Sequence, residues 1–194
     1  MSKKVFPPAI IFNPTPVIMV SCQGADGRPN IITVSWAGVI CSEPPMISIS
    51  IRPNRHSNKL VKESMEFALN FPSASLIEKA DYCGSFTGKS VDKFPEANLT
   101  PVPAKEIKSP IIQECPINVE CKVRQIIPLG SHDLFIAEVV AYHLDEDIIV
   151  KTNKADVEKA DPVAYLPGTL EYRRLGAVSR TYGFTKGKIK EVGT

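Results

Sequence analysis

Two neighbouring stretches of the chain alternate apolar residues with small hydroxyls. In Ile32-Thr33-Val34-Ser35-Trp36, strand geometry puts Ile32, Val34 and Trp36 on one face and Thr33 and Ser35 on the other. Met46-Ile47-Ser48-Ile49-Ser50-Ile51-Arg52 repeats the arrangement, with Ser48 and Ser50 opposite the isoleucines. Paired, the two strands make a flat platform with hydroxyls and accessible backbone along one side. The same alternation also describes any half-buried antiparallel strand facing water, so neither stretch marks a site by itself.

The rest of the pattern predicts further strands and short helices. Residues 17–22 and 66–71 read as strands, with Ala25-Asp26-Gly27-Arg28-Pro29-Asn30 as a hairpin turn. Ser42-Glu43-Pro44-Pro45 breaks the chain before the 46–52 strand. A helix is expected over 58–64 with Ser57 as its N-cap. A second should start at the capping-box sequence Ser75-Leu76-Ile77-Glu78 and end near Gly84. Residues 85–109 lack periodicity and read as a long loop with one short helical turn, a length that usually serves or covers a site. Strands follow over 117–126, 134–144 and 148–151, then a helical turn near 156–159. The proline-broken arm to about residue 12 is expected to be irregular, and the tail from Val163 is mixed. Many strands without regular β-α-β alternation predict a mainly β fold, an antiparallel barrel with short helices, in a single domain spanning 1–194.

Composition narrows the function classes. The 194 residues are 43% hydrophobic and 23% charged with a net charge of +2, an ordinary globular balance. Lys and Arg are scattered with no basic run, which gives no support to a nucleic-acid partner. Apolar runs are strand-sized, and Pro7, Pro8, Pro14 and Pro16 interrupt the N-terminal region, so no membrane partner and a cytoplasmic location are expected. The five cysteines form no CxxC and no metal spacing, and their odd count argues against a disulfide framework. Cys121, in phase with Ile117, Val119 and Val123, reads as a small core residue.

Candidate chemistry follows the second platform strand. Arg52-Pro53-Asn54-Arg55-His56-Ser57-Asn58 is a basic turn opening a helix. Arg55 offers a bidentate fork, Ser57 a hydroxyl beside free N–H groups, and His56 and Asn58 further donors. A flat shelf ending in such a corner suits a planar, phosphorylated cofactor, for which FMN is the candidate; a solvated turn with a capping serine is the alternative. Other chemistries are excluded. Gly84-Ser85-Phe86-Thr87-Gly88-Lys89-Ser90 has three residues between its glycines where a nucleotide-triphosphate loop needs four. His56, His132 and His143 lack metal-ligand spacing, no Gly-x-Ser-x-Gly elbow exists, and no Gly-x-Gly-x-x-Gly marks a dinucleotide domain.

Taken in order, Pro16-Val17, Asn30-Ile31-Ile32-Thr33-Val34-Ser35-Trp36, Glu43-Pro44-Pro45-Met46, Arg52-Pro53-Asn54-Arg55-His56-Ser57, Glu66-Phe67-Ala68-Leu69-Asn70 and Ser85 through Phe94 resemble the flavin reductase-like, FMN-binding split-barrel family. Within it, the chain is most similar to the flavoredoxin and archaeal ferric-reductase-like branch. The resemblance implies a six-stranded split barrel and a homodimer holding FMN near the subunit interface. It implies that Asn30 to Trp36, including Val34, lie along the ring and ribityl chain, with Thr33 and Ser35 hydrogen-bonding. Ser48, Ser50, Arg55, His56 and Ser57 would surround the ribityl phosphate, Asn70 would close the site, and Ser85 and Lys93 would reach in from the long loop. Read without the resemblance, Lys93 is a solvated loop lysine.

The family's reductases often carry Gly-Asp-His before a strand, where the histidine meets the nicotinamide. Here the stretch is Gly130-Ser131-His132-Asp133, which keeps the histidine but changes its neighbours. Use of NADH or NADPH therefore stays open. So do three roles: an FMN-dependent oxidoreductase acting on flavin or ferric iron, a flavoredoxin-type electron carrier served by a redox partner protein, and a non-flavin β-barrel binding module.

Overall fold

The computed structural model describes residues 2–11, 13–150 and 154–185. Its main sheet has seven strands: β1 Ile18–Gln23, β2 Pro29–Val34, β3 Ala37–Ser42, β4 Pro45–Ile51, β5 Glu66–Phe71, β6 Ile117–Pro128 and β7 Asp133–Leu144. They run in the order β2-β1-β5-β6-β7-β4-β3, and every neighbouring pair is antiparallel. The two edge strands, β2 and β3, are separated in sequence only by Ser35 and Trp36. That short link brings the two edges of the curled sheet together, and Ser50 N donates to Trp36 O at 2.9 Å, extending the β3–β4 pairing up to the link. The mainly β barrel therefore closes at the residues that open the candidate site.

Helices α1 His56–Ser64 and α2 Ile77–Ser85 pack against this frame, followed by the turns α3 Lys93–Glu96 and α4 Val157–Ala160. A smaller sheet joins Thr15–Pro16 to the hairpin β8 Val163–Leu166 and β9 Glu171–Arg174. Alternation sorts β1 between two cores. Ile18, Val20 and Cys22 enter the barrel interior with Ile32, Val34, Ile49, Phe67, Cys121 and Phe135. Val17 and Met19 face outwards against Ala80, Cys83 and Phe94 of the helical layer. Each such large side chain contributes about 1.5–3 kcal/mol by leaving water.

Several expectations are corrected. The sheet has seven strands, not six, because the segment after Trp36 continues as β3 and pairs with β4. In the tail, residues 163–174 form the β8–β9 hairpin, residues 175–185 carry no strand or helix, and the rest lies outside the described residues. α1 starts at His56 with Arg55 in the cap position, so Ser57 lies inside the helix and caps nothing. The capping box at Ser75 does not form; a 3-10 turn at Ala74–Leu76 precedes α2, and Ser75 Oγ pairs with Ser73 Oγ at 2.8 Å. Pro101–Val102 of the long loop pairs with Ile111–Ile112 just beyond it.

Side chains of the sheet pin that loop. Glu120, fully buried, accepts from Lys105 N at 2.8 Å and Glu106 N at 2.6 Å, and His143 Nε2 lies 2.5 Å away. Glu66 accepts from Lys108 N at 2.6 Å and Ser109 N at 3.0 Å. Loop backbone donors that lack ladder partners are satisfied this way.

Candidate functional site

A cleft of about 360 Å³ opens where the barrel closes. Residues 32–36 of β2 and its exit form one wall, and Ser50, Ile51, Arg52, Asn54 and Arg55 form the second. His132, immediately before β7, and Tyr165 of β8 complete it. Tyr165 packs against Tyr172 with ring centroids 5.4 Å apart, and Tyr172 Oη donates to Asp81 Oδ1 at 2.7 Å. This aromatic wall is thus held from α2. Burial, then the nearby Arg52 cation, holds the His132 imidazole below its ordinary pKa, so the ring is neutral at pH 7. Ser131 Oγ sits 2.8 Å from its Nδ1.

The helix start joins this cleft to a second, polar groove of about 410 Å³. Arg55 lines the cleft, while the next residue, His56, lines the groove with Asn30, Arg28 and Lys89. The Arg55 guanidinium donates to Gly84 O, bridging α1 to the end of α2. Burial, then the charges of Lys89, Lys59 and Lys93, lower the His56 pKa. A positive local field surrounds α1's first turn.

Beneath that turn lies a buried polar cluster. Asn30 Nδ2 donates to Ser57 Oγ at 2.7 Å. Lys93, 3% exposed, donates from Nζ to Ile31 O and Cys83 O, each at 2.7 Å. It is no solvated loop lysine. Among the described residues it has no ion pair, and burial pushes its pKa down to about 8, with Arg55 adding to the depression. Two cations within electrostatic reach of each other, one buried without a carboxylate, form a donor set that lacks an anion.

Of the expected site residues, the cleft brings together Thr33, Val34, Ser35, Trp36, Ser50, Arg55 and His132. The Thr33 hydroxyl itself turns towards α2, donating to Ala80 O at 2.5 Å. Asn30, His56, Ser57 and Lys93 gather at the groove and the cluster beneath it. Ser48, paired with Gly38 and Ile136, and Ser85, exposed at the end of α2, line neither hollow.

Asn70 is a correction. Its amide donates to Met19 O and Ser21 Oγ, and its Oδ1 accepts from Ile112 N and Asn118 Nδ2, all at 2.9 Å. Fully buried and fully bonded, it braces the sheet and does not close the cleft. Asn58 also turns inward, at 2% exposure, away from the corner it was expected to supply. Sequence reasoning missed Tyr165; the apolar run Val163-Ala164-Tyr165-Leu166 was the available strand signal.

Comparison with known proteins agrees with this geometry. Residues 12–171 match the family described as flavin reductase like domain. Flavoredoxin of Desulfovibrio vulgaris (Miyazaki F) superposes with a TM-score of 0.89 at 33% identity, covering 96% of this chain and 100% of that one. Flavoredoxin from Methanosarcina acetivorans superposes at 0.88 with 25% identity, covering 97% and 100%. An uncharacterized protein of Aquifex aeolicus is 30% identical over 169 residues, 84% of this chain and 86% of that one. With a barrel closed at Trp36, a cationic corner beside it and a match over most of its length, the chain belongs to the flavin reductase-like domain family of split-barrel flavoproteins.

Proposed function

We propose that this protein binds FMN in the Trp36–His132 cleft and passes electrons through it, from NADH, NADPH or a reduced partner protein, to flavin, ferric iron or another acceptor. The observation that carries the reading is Arg55, lining a cleft walled by Trp36 and Tyr165, with the buried Lys93 within electrostatic reach of it and neither cation in an ion pair among the described residues. Its volume lies within the ~300–1,000 Å³ of ordinary small-molecule sites. The residues present fit the cofactor: an apolar and aromatic slot for a ring, hydroxyls of Ser35 and Ser50 for a polyol, and Arg55, His56, Ser57 and Lys93 for a phosphate.

When bound, FMN supplies hydride and single-electron transfer, chemistry no side chain here offers. The protein's part is to hold and tune. Arg55 and Lys93 neutralise the phosphate, Trp36 and Tyr165 exclude water from the ring, and neutral His132 beside Arg52 offers a hydrogen bond to an incoming nicotinamide carboxamide. The exposed Val39 and Ile40 on edge strand β3 support a homodimer that covers this side of the barrel. Among the described residues no helix is long and apolar enough to cross a membrane.

A second reading, a flavoredoxin-type carrier without a small-molecule substrate, is favoured by the altered Ser131-His132-Asp133 stretch and by the 33% identity to a flavoredoxin. Anaerobic titration of purified protein with NADH, NADPH and reduced ferredoxin, followed by flavin absorbance, separates the two. Bleaching by a nicotinamide supports the reductase; bleaching only by the reduced protein supports the carrier. A colourless protein that takes up no FMN in calorimetry refutes both.

A further inference from the structure

His132 and the cationic corner of α1 are distant in sequence, yet one buried carboxylate, bonded to α1 across 75 residues, connects them. Asp133, the first residue of β7, is 5% exposed and follows His132 directly. Its Oδ2 accepts from Asn58 Nδ2 at 2.9 Å and from Lys62 Nζ at 2.7 Å, both on α1. The Asn58 amide also donates to Ile51 O at 3.1 Å, and Ile51 is the β4 partner of Asp133 in the sheet register. The end of β4, the start of β7 and the first turns of α1 are therefore tied at one point. Each tied residue leads into the cleft wall: Ile51 to Arg52, Asp133 to His132, and Asn58 back to Arg55.

Stability alone is a weak reason for this arrangement. The Lys62 side chain of the pair is 42% exposed, and an ion pair open to water contributes little. Asparagine is also a poor helix former, so Asn58 inside α1 carries a local cost. What such a network does provide is a fixed geometry between elements. The bonds from Lys62 and Asn58 hold the carboxyl below its ordinary pKa, so the tether stays ionised at neutral pH.

We propose that Asp133 is a positioning residue: through Asn58 and Lys62 it fixes His132 at a set distance across the cleft from the Arg55 corner. The proposal rests on the cleft being the flavin site. Asp133 itself lines neither hollow and acts through the residues it holds.

Comparing Asp133→Ala with Asp133→Asn tests this. Both remove the same charge, but the asparagine keeps an oxygen that accepts from Asn58, so their difference reports geometry alone. In the flavin-free protein, NMR titration of the His132 ring should give a higher pKa in Asp133→Ala than in Asp133→Asn. Release takes the imidazole out of partial burial beside Arg52, back towards its ordinary value of about 6.5. By calorimetry, FMN should bind about tenfold more weakly to Asp133→Ala than to Asp133→Asn, the low end of what losing an orienting partner costs a metal site. Identical His132 titrations and FMN affinities in the two variants, whatever their stabilities, would overturn the proposal.

If Asp133→Ala does not fold, Asn58→Ala carries the test without changing any charge. It should raise the His132 pKa and weaken FMN binding relative to the native protein, and no change in either would again overturn the inference. A native protein that ignores FMN would sink the flavin reading instead, while the His132 titration would still judge the tether.

Discussion

Lys93 allows the sharpest test of the phosphate corner. The residue is 3% exposed, its ammonium bonded to two carbonyl oxygens and its pKa pushed down from 10.5 to about 8 mainly by burial. In the unfolded chain the group titrates near 10.4. Between pH 8 and 10.4 the unfolded state therefore holds a proton that the folded state has released, and stability rises with pH across that window. The gap from 10.5 to about 8, at about 1.4 kcal/mol per pH unit, corresponds to about 3 kcal/mol.

Lys93→Met removes this titration and leaves the others. Urea denaturation of flavin-free native and variant protein, repeated from pH 7 to 10.5, gives a difference curve. Native stability relative to the variant should climb by up to about 3 kcal/mol between pH 8 and 10.5 and stay flat below pH 8. The variant's loss of two bonds to Ile31 O and Cys83 O offsets the curve vertically without changing its slope. A dianionic phosphate beside the ammonium would favour the protonated form, so saturating FMN should move the rise to higher pH, and FMN should bind less tightly at pH 9.5 than at pH 7. A flat difference curve would refute the buried, depressed lysine. A normal rise untouched by FMN would remove Lys93 from the phosphate site.

The remaining predictions concern the corner, the groove and the loop clamp. Arg55→Ala should weaken FMN binding by about 1.5–3 kcal/mol in calorimetry, through loss of a charge-assisted bond, and leave riboflavin nearly unaffected. In Gly88→Ala the new Cβ would collide with Asn30 Oδ1 and lie 3.1 Å from His56 Cδ2, which displaces Asn30 from Ser57. A loss of about 1–3 kcal/mol in thermal or urea unfolding, with weaker FMN binding, is expected; unchanged values would show that the groove yields freely. For Glu120, burial works to raise the pKa, but bonds from Lys105 N, His143 and Glu106 N outweigh it and hold the carboxyl low. Its contribution is present above the ordinary glutamate pKa and lost as pH falls through the lowered folded-state value, so urea midpoints should drop as pH falls below about 4.5 in the native protein and much less in Glu120→Gln.

Strands and their faces were legible because each pairs a buried face with a polar one, and a period of two survives almost any context. β5 was placed at its observed bounds, and β1, β4, β6 and β7 to within about two residues, by that signal alone. The signal failed where a strand has little to bury. β3, with Gly38, Val39 and Ile40 exposed, shows no alternation, and β8 offers only the four-residue apolar run Val163-Ala164-Tyr165-Leu166, too short to show a period of two. Helix starts were misplaced for a different reason. Ser57 and Ser75 have the chemistry of caps, but Ser57 Oγ instead accepts from Asn30 on a distant strand, and Ser75 Oγ meets Ser73 Oγ. A hydroxyl's partner is settled by tertiary packing, which local sequence does not encode.

The same distinction runs through the site. Residues contiguous in sequence, Thr33 to Trp36 and Arg52 to Arg55, converge because β2 and β4, unpaired with each other in the sheet, both end beside Trp36, whose carbonyl accepts from Ser50 N. Asn70 carries the same donors as a ligand-binding asparagine, yet β1, β6 and the Ile111–Ile112 strand surround it and consume its bonding capacity. Lys93 runs the opposite way. Its loop looks solvated, but packing of Phe94 into the helical core drags the neighbouring ammonium inward, where carbonyls alone receive it. A buried cation without a carboxylate costs stability in the empty protein, and binding of an anion relieves that cost. The chain therefore carries at Lys93 a deficit that a phosphate would remove, and FMN should raise the melting temperature more than riboflavin does at matched saturation.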